Sequence, residues 1–448
     1  VIKKLSTIFF YCLLLIIVFN RLHFSQTADS VSYSNLYPFV VDSIKINGNE
    51  LTKGFIILRE LTFAIGDTIN EKIANYNRER IYSLGIFNQV KLIPQRSKNK
   101  NILNINIEES WYIYPIPFIN AVDDDLKKLS FGLFLKIKNF RGMDEELGAS
   151  FSVGFNPSFF LSYYNPNIGW KENIFIRTIL GYSDVENQSP SAELLYGKPF
   201  SQKFSSIQFS IGKRIGLFHR IYLTTAFNYI ETPAYFPKVN ASKNRIDHRF
   251  DIGFGFEYDT RDLVQFPKDG IFTNVVYTFK GLGIDNINYS VAWLDFRKYG
   301  NVFGKLLAKC RFASRFTFGE DVPFYDYSIL GLRDKIRGYF TKKIEGNNYY
   351  LTKLEFYYPI IDELNIDLTF IPIIPDQLLS YRIGFYTQLF FESGAVQIKG
   401  KPLTFSDFYS GYGTGITLLI LPYNVFRIDF ALDKYRNLET IFSLGISF

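Results

Sequence analysis

From Trp111 to Phe448 the chain is built of recurring segments of about ten residues in which apolar side chains alternate with polar or small ones, bounded by Gly, Pro, Asn or Asp. In DIGFGFEYD, Ile252, Phe254, Phe256 and Tyr258 share one parity, and Asp251, Gly253, Gly255, Glu257 and Asp259 the other. In TIFSLGISF, Phe442, Leu444, Ile446 and Phe448 oppose Ile441, Ser443, Gly445 and Ser447. Successive side chains of a strand point to opposite faces, so this period demands sheets with one apolar and one polar face. A tilted strand needs about 9 to 11 residues to cross a bilayer, and these segments supply that length. A secreted sandwich also alternates, and a propeller would carry a blade motif at fixed period, which the chain lacks. Segmentation yields sixteen or seventeen candidates, roughly 21 residues per strand with its turn. Single-chain barrels close on even numbers, so sixteen are expected.

The only long apolar run lies at the start, where Lys3 and Lys4 precede Leu5 to Phe19 and a polar stretch from Ser25 to Ser30 follows. Its apolar core is short for a membrane span and reads as a signal peptide, residues 1–28, with cleavage between Ser25 and Ala28. Cys12 follows Phe10 and Tyr11, where lipid attachment requires small residues, so no lipid anchor is expected. Cys310 is then the one remaining cysteine, which excludes an internal disulfide framework. The chain is 47% hydrophobic and 18% aromatic yet 21% charged, which excludes a disordered chain and a bundle of apolar helices alike. Net charge is +7, or +4 once Lys3, Lys4 and Arg21 are removed, without the basic block that nucleic-acid binding requires.

Residues 38–110 have a different texture. VVDSIKI alternates and ends at Asn47-Gly48-Asn49; Thr52 is placed to cap a helix running to Leu61; Asn70 or a neighbour begins a second helix through Ser83, with Gly85 where its C-terminal cap belongs. FNQVKLIPQR and ILNINIEES follow as strands. The expected order is β-α-α-β-β, a small α+β domain ahead of an all-β transmembrane antiparallel barrel over residues 111–448.

These segments resemble a known family. IKINGNE, IYSLGIFNQV and LNINIEES are similar to a POTRA domain. IKNFRGMDEELG, YDTRDLVQFPKDGIF, DKIRGYF, LEFYYPI, FFESGAV and the terminal Phe448, in that order, resemble the barrel of the BamA/TamA superfamily of outer-membrane assembly and secretion proteins. The resemblance implies a barrel in the outer membrane of a Gram-negative type bacterium with the POTRA domain in the periplasm. Its partners would be outer-membrane lipid, unfolded or extended client polypeptides and accessory proteins. One POTRA domain is fewer than the principal members carry, which favours a specialised member. The alternative is a passive pore or structural barrel without clients.

The resemblance also places Arg337, Gly338 and Tyr339 on a loop folded back into the lumen, with the arginine contacting an acidic residue of the pattern Phe-x-Asp-x-Gly. The matching positions are Phe390, Glu392 and Gly394, with Glu in place of Asp. Parity gives an independent check. Along YRIGFYTQLFFE, Tyr381, Ile383, Phe385, Leu389 and Phe391 take the apolar parity, so Glu392 falls with Arg382, Gly384 and Gln388 on the inward one. On the neighbouring strand Lys353, Glu355 and Tyr357 are inward. An arginine suits such a site because its planar cation binds carboxylate through two parallel hydrogen bonds.

Thr260, Arg261, Asp262 and Gly270 read as a strand end and turn organiser. Pro115 and Pro117, two apart in WYIYPIPF, remove donors facing one neighbour. They either link the two domains or weaken a seam at the first strand, where the resemblance implies lateral opening. GYGTG at 411–415 reads as inward glycines that leave lumenal space. His23, His219 and His248 are far apart, and HExxH, CxxC, P-loop and GxSxG motifs are missing, so catalytic, metal and cofactor-binding residues are expected to be none.

Overall fold

The computed structural model describes residues 33–445 apart from 98–99, 122–125, 170–171 and 372–373. The signal segment 1–28 and Phe448 lie outside the described residues.

The N-terminal unit contains β1 (Phe39–Val40), β2 (Ser43–Asn47), α1 (Gly54–Leu58), β3 (Thr68–Ile69), α2 (Glu71–Tyr82), β4 (Phe87–Arg96) and β5 (Asn101–Glu109). Its sheet has the order β2-β5-β4, with β2 parallel to β5 and β5 antiparallel to β4, and β1 and β3 form a separate pair. Helix α2 starts where Asn70 accepts the N–H of Ile73 at 2.9 Å, and carries Glu71 in its first turn and Arg80 in its last, both favourable to the helix dipole. The first helix departs from expectation. It is a single short stretch without a side-chain cap, and Thr52 does not cap it. The Thr52 hydroxyl instead accepts from Asn139 at 2.8 Å, and its N–H is taken by Glu109, so tertiary partners outbid the local cap.

Sixteen antiparallel strands follow: β6 (Ile113–Ala121), β7 (Leu129–Phe140), β8 (Glu145–Gly154), β9 (Ser158–Ile168), β10 (Ile174–Glu186), β11 (Ser201–Ile215), β12 (His219–Glu231), β13 (Ile246–Asp259), β14 (Gly270–Lys280), β15 (Tyr289–Phe303), β16 (Leu306–Phe318), β19 (Asn348–Asp367), β20 (Ser380–Gln397), β21 (Tyr409–Leu421), β22 (Asn424–Leu432) and β23 (Leu438–Leu444). A helix, α3 (Pro190–Tyr196), lies between β10 and β11, and a small hairpin, β17 (Ser328–Leu330) with β18 (Ile344–Gly346), lies between β16 and β19. The alternation has its consequence on the outside, where Phe131, Phe159, Phe209, Phe254, Leu389 and Phe430 are all solvent-accessible. A continuous apolar belt of this extent suits lipid, not water. No described helix is long and apolar enough to cross a membrane.

Residues 319–347 leave the distal end of the barrel, opposite the N-terminal domain. They are not irregular throughout, because the β17–β18 hairpin gives them a backbone frame.

The N-terminal domain is seated in the proximal mouth. Its core residues Ile56, Ile57, Phe87 and Leu103 belong to the same apolar cluster as Phe266, Tyr357, Tyr386 and Leu419 of the barrel. Charges fix the docking. Glu60, after α1, takes both Nη atoms of Arg214 on β11, at 2.5 and 2.8 Å, and Arg80 at 2.8 Å. Glu79 on α2 pairs with Arg382 on β20 at 2.7 Å, and Arg59 with Asp144 at 2.8 Å. Burial alone would push the Glu60 carboxyl up, but Arg214, Arg80 and Arg59 outweigh it and hold the group at about 2. A depressed carboxylate contributes stability above its ordinary value of about 4.3, and loses it as pH falls through the folded value. The docked domain should therefore stay protected from amide exchange at pH 5. Arg214→Ala, which strands Glu60 with less neutralisation, should raise exchange in α1 and α2 at pH 7; unchanged protection in that variant would refute the electrostatic seat.

Candidate functional site

Inside the lumen the loop between β16 and β19 delivers one guanidinium to the wall. Arg337 is 2% exposed, and its neighbours Glu355, Glu392 and Asp429 are fully buried. The Arg337 backbone N–H donates to Glu392 Oε2 at 2.8 Å, and its Nε to Glu392 Oε1 at 2.8 Å. Nη2 donates to Glu355, and Nη1 lies 3.3 Å from Asp429 Oδ2. The cation stacks on the Phe390 ring with Cζ 3.6 Å from its centroid. Lys353 Nζ pairs with Glu392 at 3.2 Å and donates to the Lys335 carbonyl at 2.9 Å, and Arg427 lies 2.8 Å from Asp429. Arg337, Lys353 and Arg427 thus balance Glu355, Glu392 and Asp429, which is what allows so many charges to leave water.

Period-two geometry positions these groups. Lys353 stands opposite Glu392 in the β19–β20 register, and Gly415 opposite both Gln388 and Asp429 in the adjoining ladders. Gln388 donates to Asp429 and accepts from Thr417 at 2.9 Å, so the second carboxylate oxygen is also satisfied. The acidic partner reached from the sequence was Glu392 alone; Glu355 and Asp429 complete the site. Glu355 was already on the inward parity, and the alternation of Arg427 and Asp429 in VFRIDFAL is the signal that marks Asp429.

Two glycines make room for the loop. A Cβ on Gly411 of β21 would lie 1.8 Å from the Arg337 carbonyl oxygen, so the wall must be bare there. Gly338 has φ +91 and packs on the β22–β23 turn, where a Cβ would meet the Leu432 carbonyl oxygen at 3.0 Å. Tyr339 is buried with its ring edge-on to Tyr409 at 5.1 Å, and its hydroxyl accepts from the Lys434 N–H at 3.2 Å.

The strand-end residues form a second constellation at the proximal mouth. The Thr260 hydroxyl accepts from Ile271 N at 2.9 Å, Arg261 grips Asp259 with two bonds, and Asp262 Oδ1 accepts three backbone N–H groups, from Leu263, Lys268 and Asp269. A Cβ on Gly270 would meet the Thr260 carbonyl oxygen at 2.5 Å. The turn they shape sends Phe266 into the lumen, where Lys309 Nζ lies 3.3 Å from its ring centroid and 4.3 Å from that of Tyr357. The same turn carries the N-terminal domain, because Tyr76 donates to the Thr260 carbonyl at 2.9 Å and Ser83 to that of Asp262 at 3.2 Å.

The seam lies between β6 and β23, which end the strand order and share no ladder among the described residues. Lys138 donates its N–H to the Tyr112 carbonyl at 2.8 Å, and the register continues as Ile113 opposite Ile137. Hydrogen-bonded pairs alternate along an antiparallel ladder, so Tyr114, Ile116 and Phe118 exchange bonds with β7. Pro115 and Pro117, opposite Leu135 and Leu133, therefore turn their nitrogens to the seam, where a donor is missing at each. Among the described residues no group of three or more His, Cys, Asp or Glu is placed to hold a metal ion.

Residues 139–448 match the Omp85 superfamily domain, which covers more than half of the chain. The protein belongs to the Omp85 superfamily. Residues 39–110 match a POTRA model described as the surface antigen variable number repeat. Among solved structures the chain is similar to BamA from Haemophilus ducreyi lacking POTRA domains 1–3, with 18% identity, a TM-score of 0.54, and 91% of this chain and 84% of that one covered. It is also similar to CdiB from Escherichia coli, with 10% identity, a TM-score of 0.55, and 91% and 75% covered. At these identities the likeness is one of fold.

Removing one partner of a buried ion pair typically costs about 3 to 5 kcal/mol. Arg337→Ala should accordingly expose residues 331–343 to limited proteolysis while the barrel still shows heat-modifiable migration. Gly411→Ala should do the same without touching a charge, because the new methyl displaces the loop backbone. Equal resistance of both variants and wild type would exclude the described loop seat.

Proposed function

We propose that this Omp85 protein is an outer-membrane assembly or translocation factor, with the POTRA domain in the periplasm, which binds extended client polypeptides and inserts or passes them through its barrel. The observation that carries the reading is the seam. A barrel whose first strand offers proline nitrogens to its last strand is weakly closed at one place, and an open strand edge is a template for an incoming strand. The POTRA edge supports it further: β2 pairs on one side with β5 and has no second neighbour among the described residues. A client strand added there lies on the domain that occupies the proximal mouth.

The reading involves no catalytic step and no cofactor. Strand addition supplies affinity through main-chain hydrogen bonds, and the client's period-two side chains find lipid on one side of the seam and lumen on the other. The family resemblance supports outer-membrane lipid and accessory proteins as further partners. Photocrosslinking residues placed in β2 and in β6 should trap other polypeptides in living cells, and depletion of the protein should lower the level of specific outer-membrane or surface proteins. If nothing is trapped, depletion alters no other envelope protein, and planar-bilayer conductance accounts for the phenotype, the protein is a passive pore.

A further inference from the structure

Strands β23 and β6 are the two of the sixteen that are laddered on one side only among the described residues. Among the described residues β23 pairs on one side with β22, from Leu438 opposite Leu432 to Leu444 opposite Phe426, and its other edge is the seam. Its second support comes from inside the barrel. Glu439, on the inward parity of β23, accepts the backbone N–H of Gly338 at 2.9 Å and of Phe340 at 3.1 Å on one carboxylate oxygen. Two residues on, Ile441 is buried in a cluster with Phe340, Phe390 and Ala431. The loop that Arg337 anchors therefore grips the seam strand directly.

We infer that Glu439 is a positioning residue that couples the lumenal loop to the seam, so that the seated loop latches β23 and withdrawal of the loop frees it. The argument is one of geometry. Arg337 has its carboxylate partners on β19, β20 and β22, so it fixes the loop to strands that are laddered on both sides. Glu439 then transmits that position to a strand laddered on one. Gly338 is the hinge of the contact, since its bare backbone lies against the β22–β23 turn and turns the N–H toward Glu439. Hydrogen bonds to a charged acceptor are the stronger kind, and they sit at the distal end of a strand of seven residues, where fraying begins. With the loop out, β23 loses both bonds and the Phe340 contact together, and the edge becomes available to pair with another strand. The role of that freed edge rests on the assembly reading above; the mechanical coupling does not.

The test is amide hydrogen exchange on the purified full-length protein in lipid nanodiscs, with folding checked by heat-modifiable migration. Glu439→Ala should speed exchange in residues 438–444 by about ten- to a hundredfold, the range expected from losing hydrogen bonds to a charged acceptor, and should also speed it in 337–341. Glu439→Gln keeps an acceptor oxygen and should restore most of the protection; Thr440→Ala, on the outward parity, should change little. Arg337→Ala should also speed β23 exchange, and the Arg337→Ala/Glu439→Ala double variant should be no faster there than the singles, as coupled residues require. If Glu439→Ala does not fold, Glu439→Gln and Arg337→Ala still decide. An Arg337→Ala protein with a loosened loop and an unchanged β23 overturns the latch. Coupled exchange in a protein that traps no client leaves the latch standing and removes the assembly reading instead.

Discussion

A guanidinium taken out of water in the middle of a barrel has to be met by carboxylates, and the carboxylates by further cations, or the site will not hold. That requirement links Arg337 to Glu392, Glu355 and Asp429, and through them to Lys353 and Arg427, across strands β19 to β22. Such a network need not add much net stability, because desolvation of six charged groups offsets most of their attraction. What it supplies is position. The loop as placed satisfies these partners together, and the bare wall at Gly411 and the bare loop backbone at Gly338 leave the room that placement needs.

The two ends of the barrel lumen are occupied through different physics. At the proximal mouth an apolar cluster shared by the POTRA domain and Phe266 is rimmed by Glu60, Glu79 and their arginines. At the distal end the long loop folds inward, and its Glu345 accepts from Ser189 and from the Ser191 N–H, which ties it to the start of α3. Between them lies the seam, weakened on one strand by proline and braced on the other by Glu439. Under the assembly reading β23 is the element that opens, and its ladder on one side among the described residues suits a strand that is to be released while its surroundings stay folded.

Much of this was legible in the chain. Period two gave the strands and the inward parity of Glu392, because a strand's faces follow from backbone geometry alone, and the even-number rule for barrels chose sixteen over seventeen. Asn70 as a helix cap was equally local, since the residue that caps is the residue that starts the turn. Thr52 shows the limit: its hydroxyl had a local use and a distant one, and the Asn139 side chain 87 positions away decided between them. Glu355 and Asp429 were on the correct face, but a face lists many residues, and which of them meet Arg337 depends on register between strands far apart in sequence. The partnership of Glu439 with Gly338 and Phe340 had no sequence signal at all, being made to backbone N–H groups that every residue but proline carries.

The sequence by itself determined a two-part protein, a small α+β domain and a barrel of sixteen or seventeen strands with an apolar outer face and charge within, because alternation and turn chemistry act over a few residues. The tertiary structure decided where the long loop goes, which carboxylates receive its arginine, how the N-terminal domain seats in the mouth, and which strand the loop holds. Those outcomes depend on burying charge, and a buried charge is stable only against partners that the closed fold brings within about 3 Å.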